Sequence, residues 1–204
     1  NKGFVQFDID SRQCIVKQKL RNYITASGGN IDYDVLQFTS NTFGKENNAQ
    51  LNLVNFDLLI NGVGRINLSD SQKVVILPSN EQVTLKKGRD FKCGGRVFAG
   101  NLEFIGKDYY FSYDSFTLGL NQVDSTRISV DDMESSKDRY GNRTQKKIKN
   151  VVEGIRGTLK IDAPNNKSGI LAEDYPEYPI LTSEIDSYVY YDNKEIQGGV
   201  YDKD

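Results

Sequence analysis

Apolar and polar side chains alternate along much of the chain, in short runs whose parity changes every few residues. In RVFAGNLEFIGKDYYFSYDSFTLGL, residues 96–120, the apolar positions are first odd, then even, then odd, then even again. Successive side chains of an extended strand point to opposite faces, so each run predicts one half-buried strand, none much longer than about five residues. The parity changes fall at residues suited to turns or bulges. They are Gly100-Asn101, Gly106-Lys107-Asp108 and Asp114-Ser115.

The same alternation predicts strands elsewhere in the chain. These lie within 31–38, 51–60, 74–77, 83–85, 159–161 and 187–191. No window of about 11–18 residues sustains the i, i+3, i+4, i+7 spacing of an amphipathic helix. We therefore predict an all-β fold of many short strands, with little or no helix.

A pair of glycines precedes alternating residues twice, in GGNIDYDVLQF at 28–38 and in GGRVFAGNLEF at 94–104. Solenoid proteins repeat at a fixed period of about 20–50 residues, and no such period can be extracted from this sequence. A solenoid-like arrangement, of the β-helix or β-taco type, and a sandwich are both compatible with the pattern.

Three regions follow from the distribution of apolar residues. Residues 1–130 are a strand-rich β domain, and residues 131–150, DDMESSKDRYGNRTQKKIKN, are a polar loop or connection. Residues 151–204 resume strand character and are expected to pack on the first region. Because the chain opens without methionine and stops without a closing element, we expect a fragment of a longer chain.

The composition excludes most catalytic chemistry. Histidine is absent, which removes Ser-His-Asp and Cys-His nucleophiles, histidine general bases and every histidine-containing metal site. The only cysteines, Cys14 and Cys93, cannot close a thiolate cage, and we expect free thiols, with a disulfide as the alternative. GVGRIN at 62–67 departs from the GxGxxG phosphate loop. We therefore predict no catalytic residue, no cofactor and no metal site.

Acidic residues are numerous but lack a diagnostic pattern. Asp8 with Asp10, and Asp32 with Asp34, lie two positions apart in strand patterns, as expected for the wet side of a half-exposed sheet. A glycosidase pair is defined instead by its separation in space. One acidic group, Asp131 with Asp132 and Glu134, is a candidate for binding calcium, although it lacks a DxDxDG-like loop.

The charge balance argues against a nucleic-acid partner. Lysine plus arginine number 26 and aspartate plus glutamate 28, so the chain has no global field that attracts polyanions. No apolar run approaches the roughly 18 residues of a membrane span, and we predict no transmembrane segment in this sequence.

Tyrosine is the one residue type that suggests a binding surface. The chain has 12 tyrosines and no tryptophan. Clustered tyrosines are typical of sugar-stacking and protein-binding faces, and equally of strand margins and cores. The candidate ligand or partner face comprises Tyr109, Tyr110, Tyr113, Tyr188 and Tyr190.

Two segments together resemble a group of very large, uncharacterised proteins of Bacteroidetes. These are VVILPSNEQVTLKKGRDFKCGGRVFAGNLEFIGKDYYFSYDSFTLGLNQVDS and GTLKIDAPNNKSG with the later YPEYPILTSEIDSYVYYD. The resemblance implies a long, strand-rich protein of the cell envelope or extracellular space, in the periplasm or on the outer surface. It implies no activity and no catalytic residue.

The expected function is a non-enzymatic structural or interaction module of a large exported or envelope-associated protein. Its expected partners are neighbouring domains of the same chain or other envelope proteins. The alternative is a carrier that binds lipid or glycan through an apolar groove or the tyrosine face. A carboxylate-dependent glycan enzyme is a third hypothesis, which requires two facing buried acids.

Overall fold

In the computed structural model, residues 2–8, 13–19, 35–41, 49–137, 139, 144–147, 152–186 and 188–189 are described. Their regular structure consists of strands and short 3₁₀ turns. The strands are β1 (Lys2–Asp8), β2 (Gln13–Lys19), β3 (Val35–Asn41), β4 (Ala49–Leu51), β5 (Leu58–Asn61), β6 (Ile66–Ser69), β7 (Val74–Pro78), β8 (Gln82–Leu85), β9 (Phe91–Ala99), β10 (Leu102–Ser112), β11 (Thr117–Asp131), β12 (Gln145–Lys147), β13 (Val152–Glu153), β14 (Gly157–Lys160), β15 (Ile180–Ser183) and β16 (Tyr188–Val189). The 3₁₀ turns are Ser79–Glu81, Lys87–Arg89 and Ala172–Asp174.

The strands form two antiparallel sheets. The smaller has the order β1-β2-β3, and the larger has 13 strands with the main order β15-β14-β11-β10-β9-β8-β5-β4. The larger sheet is open, because its path ends on β15 and β4 rather than closing on itself. The predicted all-β class is confirmed, and the described residues contain no α-helix. Nor do they contain a helix with the length and apolar character needed to cross a membrane.

Strand β9 is where the large sheet forks. Its first residues pair with β8, with Phe91 opposite Leu85. Its later residues pair with β7, which continues to β6. Along its other side β9 pairs with β10. One strand therefore carries two separate branches of sheet on the same side.

The strands of the central hairpin are longer than the predicted five residues. Strand β10 has 11 residues and β11 has 15. The parity change at Gly106-Lys107-Asp108 is a bulge inside β10, where pairing with β9 jumps between Gly106 and Tyr109 and Asp108 takes a φ of +54°. A bulge reverses the faces without ending the ladder, so two predicted strands are one.

The other two parity changes are hairpin turns, as the pattern allows. Gly100 has a φ of +56° between β9 and β10, and Phe116 has a φ of +55° between β10 and β11. By contrast, residues 52–57, which the alternation predicted to be strand, form an exposed turn between β4 and β5. Of the predicted strand at 187–191, Tyr188–Val189 is strand, and 31–34 lie outside the described residues.

Among the residues whose side chains are described, the large sheet carries one apolar core. The alternating residues of 96–120 supply much of it, since Val97, Ala99, Phe104, Tyr109, Phe111, Tyr113, Phe116, Leu118 and Leu120 are all buried. The Phe91 and Phe111 rings stack with centroids 4.7 Å apart, and Phe116 meets Phe111 edge-on at 6.0 Å. The faces predicted from parity are therefore confirmed over this stretch.

The polar stretch 131–150 contains a further strand. Within it, β12 pairs with the end of β11, so that Lys147 lies opposite Ser129. The intervening residues 132–137 form turns without regular structure. The pairing brings a basic segment beside the central strands.

Candidate functional site

The predicted tyrosine face does not form a continuous surface among the described residues. Tyr109 and Tyr113 are buried in the core, and Tyr110 is half-buried. Tyr188 lies in β16, of which only the backbone is described, and Tyr190 lies outside the described residues. The alternation showed correctly that Tyr109 and Tyr113 share a face, and that face is the core.

Tyr110 is held by Asp90, which precedes β9. Its hydroxyl donates a hydrogen bond to the Asp90 carboxylate over 2.7 Å, and the same carboxylate accepts the Tyr113 backbone N–H at 2.9 Å. This hydrogen bond, assisted by desolvation, raises the pKa of Tyr110 to about 12. Asp90 thereby ties the start of β9 to the end of β10.

Two cations contact the buried Tyr113 ring. The Arg89 guanidinium carbon lies 4.1 Å from the ring centroid and Lys167 Nζ lies 4.9 Å from it. Arg89 also donates to Asp114 Oδ1 at 2.9 Å, and Lys167 Nζ donates to the Pro164 carbonyl at 2.6 Å. These contacts hold the Tyr113 ring between two cations, which is a structural role, although the buried Arg89 Nε has no hydrogen-bond partner.

The loop after β14 is held in place by hydrogen bonds between buried polar groups. Asp162 Oδ1 accepts the Ala163 N–H at 2.7 Å, and the Asn166 amide donates to both Asp162 carboxylate oxygens at 3.3 and 3.2 Å. Asn166 Oδ1 in turn accepts the Leu171 N–H at 2.9 Å. Asp162 and Asn166 are buried and occupy each other, as expected for groups that stabilise a loop.

A small polar cavity lies beside this loop. Its volume is about 280 Å³, and it is lined by Asn67, Leu68, Ser69, Asp70, Ser71 and Ser168. The Ser69 and Ser71 hydroxyls lie 3.2 Å apart, and Ser69 also accepts the Gln72 N–H. The Ser69 and Ser71 hydroxyls are therefore hydrogen-bonded within the protein and are not arranged around a substrate atom.

Glu103 is a buried acid on the opposite face of β10 from Phe104. Lys147 Nζ donates to its Oε2 at 2.7 Å, and Arg96 and Arg127 nitrogens lie 3.9 and 4.0 Å from its carboxylate. Its Oε1 has no hydrogen-bond partner. Sequence reasoning missed this cluster. The only local signal was a glutamate between apolar neighbours, because the cations come from three other strands.

Cys93 lines a shallow groove of about 410 Å³ next to the bulge. Lys92, Gly94, Lys107 and Asp108 also line it. Burial raises the pKa of the Cys93 thiol to about 12, so the thiol stays protonated and is a poor nucleophile at neutral pH. Cys93 is a free cysteine, as predicted, and of Cys14 only the backbone is described.

The acidic candidates do not gather into a cation site among the described residues. There, no three aspartate, glutamate or cysteine side chains lie close enough to hold a metal ion. In the calcium candidate, Asp132 Oδ1 accepts the Glu134 N–H at 3.1 Å, while the Asp131 side chain lies outside the described residues. Asp10, Asp32 and Asp34 lie outside them as well.

The remaining candidates are the outer edges of the large sheet. At one end β15 pairs with β14 alone, and at the other end β4 pairs with β5 alone, among the described strands. Neither Ala49–Leu51 nor Ile180–Ser183 contains a charged residue or proline.

Comparison with protein-family models, with curated proteins and with solved structures gives no match. The open edges are a feature of this molecule from which an interaction can be inferred.

Proposed function

We propose that this chain is a non-enzymatic structural or interaction module of a large exported or envelope-associated protein. Strands of neighbouring domains, or of other envelope proteins, extend its open sheet. One observation carries this proposal, which is that the main path of the large sheet ends on two strands, β15 and β4, whose outer edges are unpaired among the described residues.

An edge strand presents unpaired N–H and C=O groups, and another extended segment can hydrogen-bond to them. Proteins commonly block such edges with lysine, proline or a covering element. Both edges here are short, but β4 reads AQL and β15 reads ILTS, with neither charge nor proline. Their chemistry supports addition of a strand rather than exclusion of one.

The interior supports a structural role. The buried polar groups Asp162 and Asn166 bond to each other, and Glu103 faces cations. An active site keeps an acid, base or nucleophile available to substrate, whereas Asp162 and Asn166 bond each other and Glu103 is buried with Lys147 on its Oε2.

We propose that the solenoid-like arrangement, which the sequence predicts for this chain beside a sandwich, extends into its neighbours. Each added strand would continue the ladder beyond β15 or β4, so that neighbouring domains stack along one direction. The envelope location follows from the resemblance of the two segments to large Bacteroidetes proteins.

The alternative of a lipid- or glycan-binding carrier has less support. The described Tyr175 and Tyr178 rings meet edge-on at 80°, with centroids 6.3 Å apart, rather than lying coplanar as a stacking platform requires. The cavities beside Ser69 and Cys93 are lined mainly by polar residues. A carrier role that uses other surfaces of the protein stays a prediction.

Self-association of the chain tests the proposal, because free edges can also pair with each other. Light scattering over a concentration series should show association that weakens at least about tenfold in the double variant Gln50→Lys, Thr182→Lys, since like charges then face across the new ladder. Asn121→Lys with Thr144→Lys is the matched control, because these two exposed residues lie away from the outer edges of β4 and β15 and beside the acidic residues Asp108 and Asp132. Association that is absent, or equally weakened by both pairs of substitutions, would contradict strand addition.

A further inference from the structure

The turn between β4 and β5 displays apolar side chains to solvent. Leu51 is 51% exposed, Leu53 75%, Val54 90% and Phe56 53%. Isolated exposed apolar residues are ordinary on protein surfaces, but contiguous apolar patches rimmed by polar residues mark interaction sites. Four in six consecutive positions at one turn form such a patch, which we name the apolar tip.

Most backbone N–H groups of the apolar tip are hydrogen-bonded within the turn. Asn52 Oδ1 accepts the N–H groups of Val54 and Asn55 at 2.9 and 3.4 Å, and the Asn52 carbonyl accepts the Phe56 N–H at 2.8 Å. The Asp57 N–H donates to Asn55 Oδ1 at 3.0 Å. A turn that occupies its N–H groups internally can lose its water at low cost.

Phe56 is turned outward by an unusual backbone conformation. Its φ is +62°, in a region that bulky residues rarely adopt. The buried hairpin residue Phe116 has a similar φ of +55°, so the conformation recurs at turns of this fold and does not by itself mark a site. Here the polar groups of Asn52 and Asn55 impose it, and the result is an aromatic ring at the surface.

The charges around the apolar tip are favourable for an anionic surface. Lys87 Nζ lies 4.5 Å above the Phe56 ring, and the one carboxylate of the turn, Asp57, is paired with Lys86. The tip therefore presents apolar side chains beside a lysine, and the carboxylate of its own turn, Asp57, is compensated. This arrangement matches the headgroup region of a bilayer, where apolar groups enter and lysines stay at the phosphates.

We propose that the apolar tip is a membrane-contacting loop. It places Leu53, Val54 and Phe56 among the headgroups and upper acyl chains of an anionic lipid bilayer, with Lys87 at phosphate level. A protein partner fits less well, since a stable interface takes about 20–30 residues a side and the tip is a single short turn. The tip adjoins the β4 edge, because Leu51 belongs to both, but lipid contact would use the exposed side chains and strand addition the backbone groups of β4.

A single tryptophan reports contact directly, because the chain has no tryptophan of its own. The full chain carrying Val54→Trp is mixed with vesicles of phosphatidylcholine alone or of equimolar phosphatidylcholine and phosphatidylglycerol. We expect the emission to shift to the blue and to be quenched by brominated acyl chains, more strongly with phosphatidylglycerol. Ile170→Trp, at an exposed apolar residue elsewhere, is the matched control and should respond to neither.

Cosedimentation with the same vesicles gives the size of the effect. Leu53→Ser with Val54→Ser should weaken binding at least about tenfold, because two exposed apolar side chains no longer leave water. Ile170→Ser should leave it unchanged, and circular dichroism should show both variants folded. Lys87→Gln should weaken binding to the phosphatidylglycerol vesicles about fivefold, with Lys137→Gln as its control.

Three results would overturn the proposal. The first is a chain that binds neither kind of vesicle, and the second is vesicle binding that leaves the emission of the Val54→Trp variant unchanged. The third is a protein occupant of the tip, shown by self-association without lipid that the Leu53→Ser, Val54→Ser pair abolishes. Thr182→Lys, which tests the sheet edge, should not alter vesicle binding, so the two proposals can fail separately.

Discussion

At the scale of single residues, Glu103 shows how a buried charge is tolerated in this sheet. Its carboxylate is buried, while Arg96, Arg127 and Lys147 surround it from three other strands and keep partial access to water. Removing the carboxylate would leave three cations close together without their counter-charge. The cluster therefore matters more than an exposed pair of the same residue types.

We expect Glu103→Gln to lower the free energy of unfolding by about 1–3 kcal/mol, because a buried acceptor is weakened and the cations are uncompensated. Glu184→Gln breaks an exposed pair with Arg156, whose atoms are 3.6 Å apart, and should cost no more than about 0.5 kcal/mol. Urea unfolding of both variants measures the difference. Equal costs would mean that the cluster around Glu103 contributes no more than a surface pair.

The sequence indicated which residues share a face but not which face becomes the core. The alternation correctly places Tyr109 and Tyr113 on the same face of β10. It does not show whether that face is packed in the core, as in the structure, or exposed on the surface. The Glu103–Lys147 contact joins residues 44 positions apart. Such contacts depend on strand pairing, which local alternation does not encode.

At the scale of elements, a change in the parity of the apolar positions can arise from either of two structures, a turn or a bulge. A hairpin turn at Gly100 and a bulge at Gly106–Asp108 reverse the apolar faces in the same way. Alternation therefore located the reversals and the all-β class correctly, and gave strands that were too short. The difference lies in whether the ladder with the neighbouring strand continues, which is a tertiary property.

Glycine permits the close approach of the edge strand β15. A Cβ on Gly157 would lie 2.1 Å from the Thr182 carbonyl oxygen, a contact that the backbone can relieve only by moving β15 away from β14. We expect Gly157→Ala to destabilise the protein by about 1–3 kcal/mol and to accelerate amide exchange in Ile180–Ser183.

Gly119→Ala in β11 is the matched control. A Cβ there would lie 3.6 Å from the Tyr110 carbonyl oxygen, which is an ordinary contact. Alanine should be neutral or stabilising by about 0.5–1 kcal/mol in that strand. If the two alanine variants had the same melting temperature, close packing of β15 would not be what Gly157 provides.

At the scale of the whole molecule, the ladders of the large sheet differ greatly in extent. Strands β10 and β11 are joined through 10 residue pairs, whereas β8 and β9 share 2, Thr84 with Lys92 and Leu85 with Phe91. The fork at β9 causes this, because the rest of that strand is given to β7. Among the described strands, β4 and β5 reach the centre of the sheet only through β8.

The short β8–β9 ladder at the fork is expected to be the first part of the large sheet to separate when the protein is stretched. Force applied between handles at Gln50 and Thr182 loads the β8–β9 junction together with the chain segment that joins β5 to β6, and a ladder of 2 pairs should yield before one of 10. In optical-trap pulling, the first rupture should release β4, β5 and β8 while β9, β10 and β11 stay joined. A first rupture of the β10–β11 hairpin would contradict this. In a stretched assembly, such a module would lengthen by one short step and keep its central strands intact.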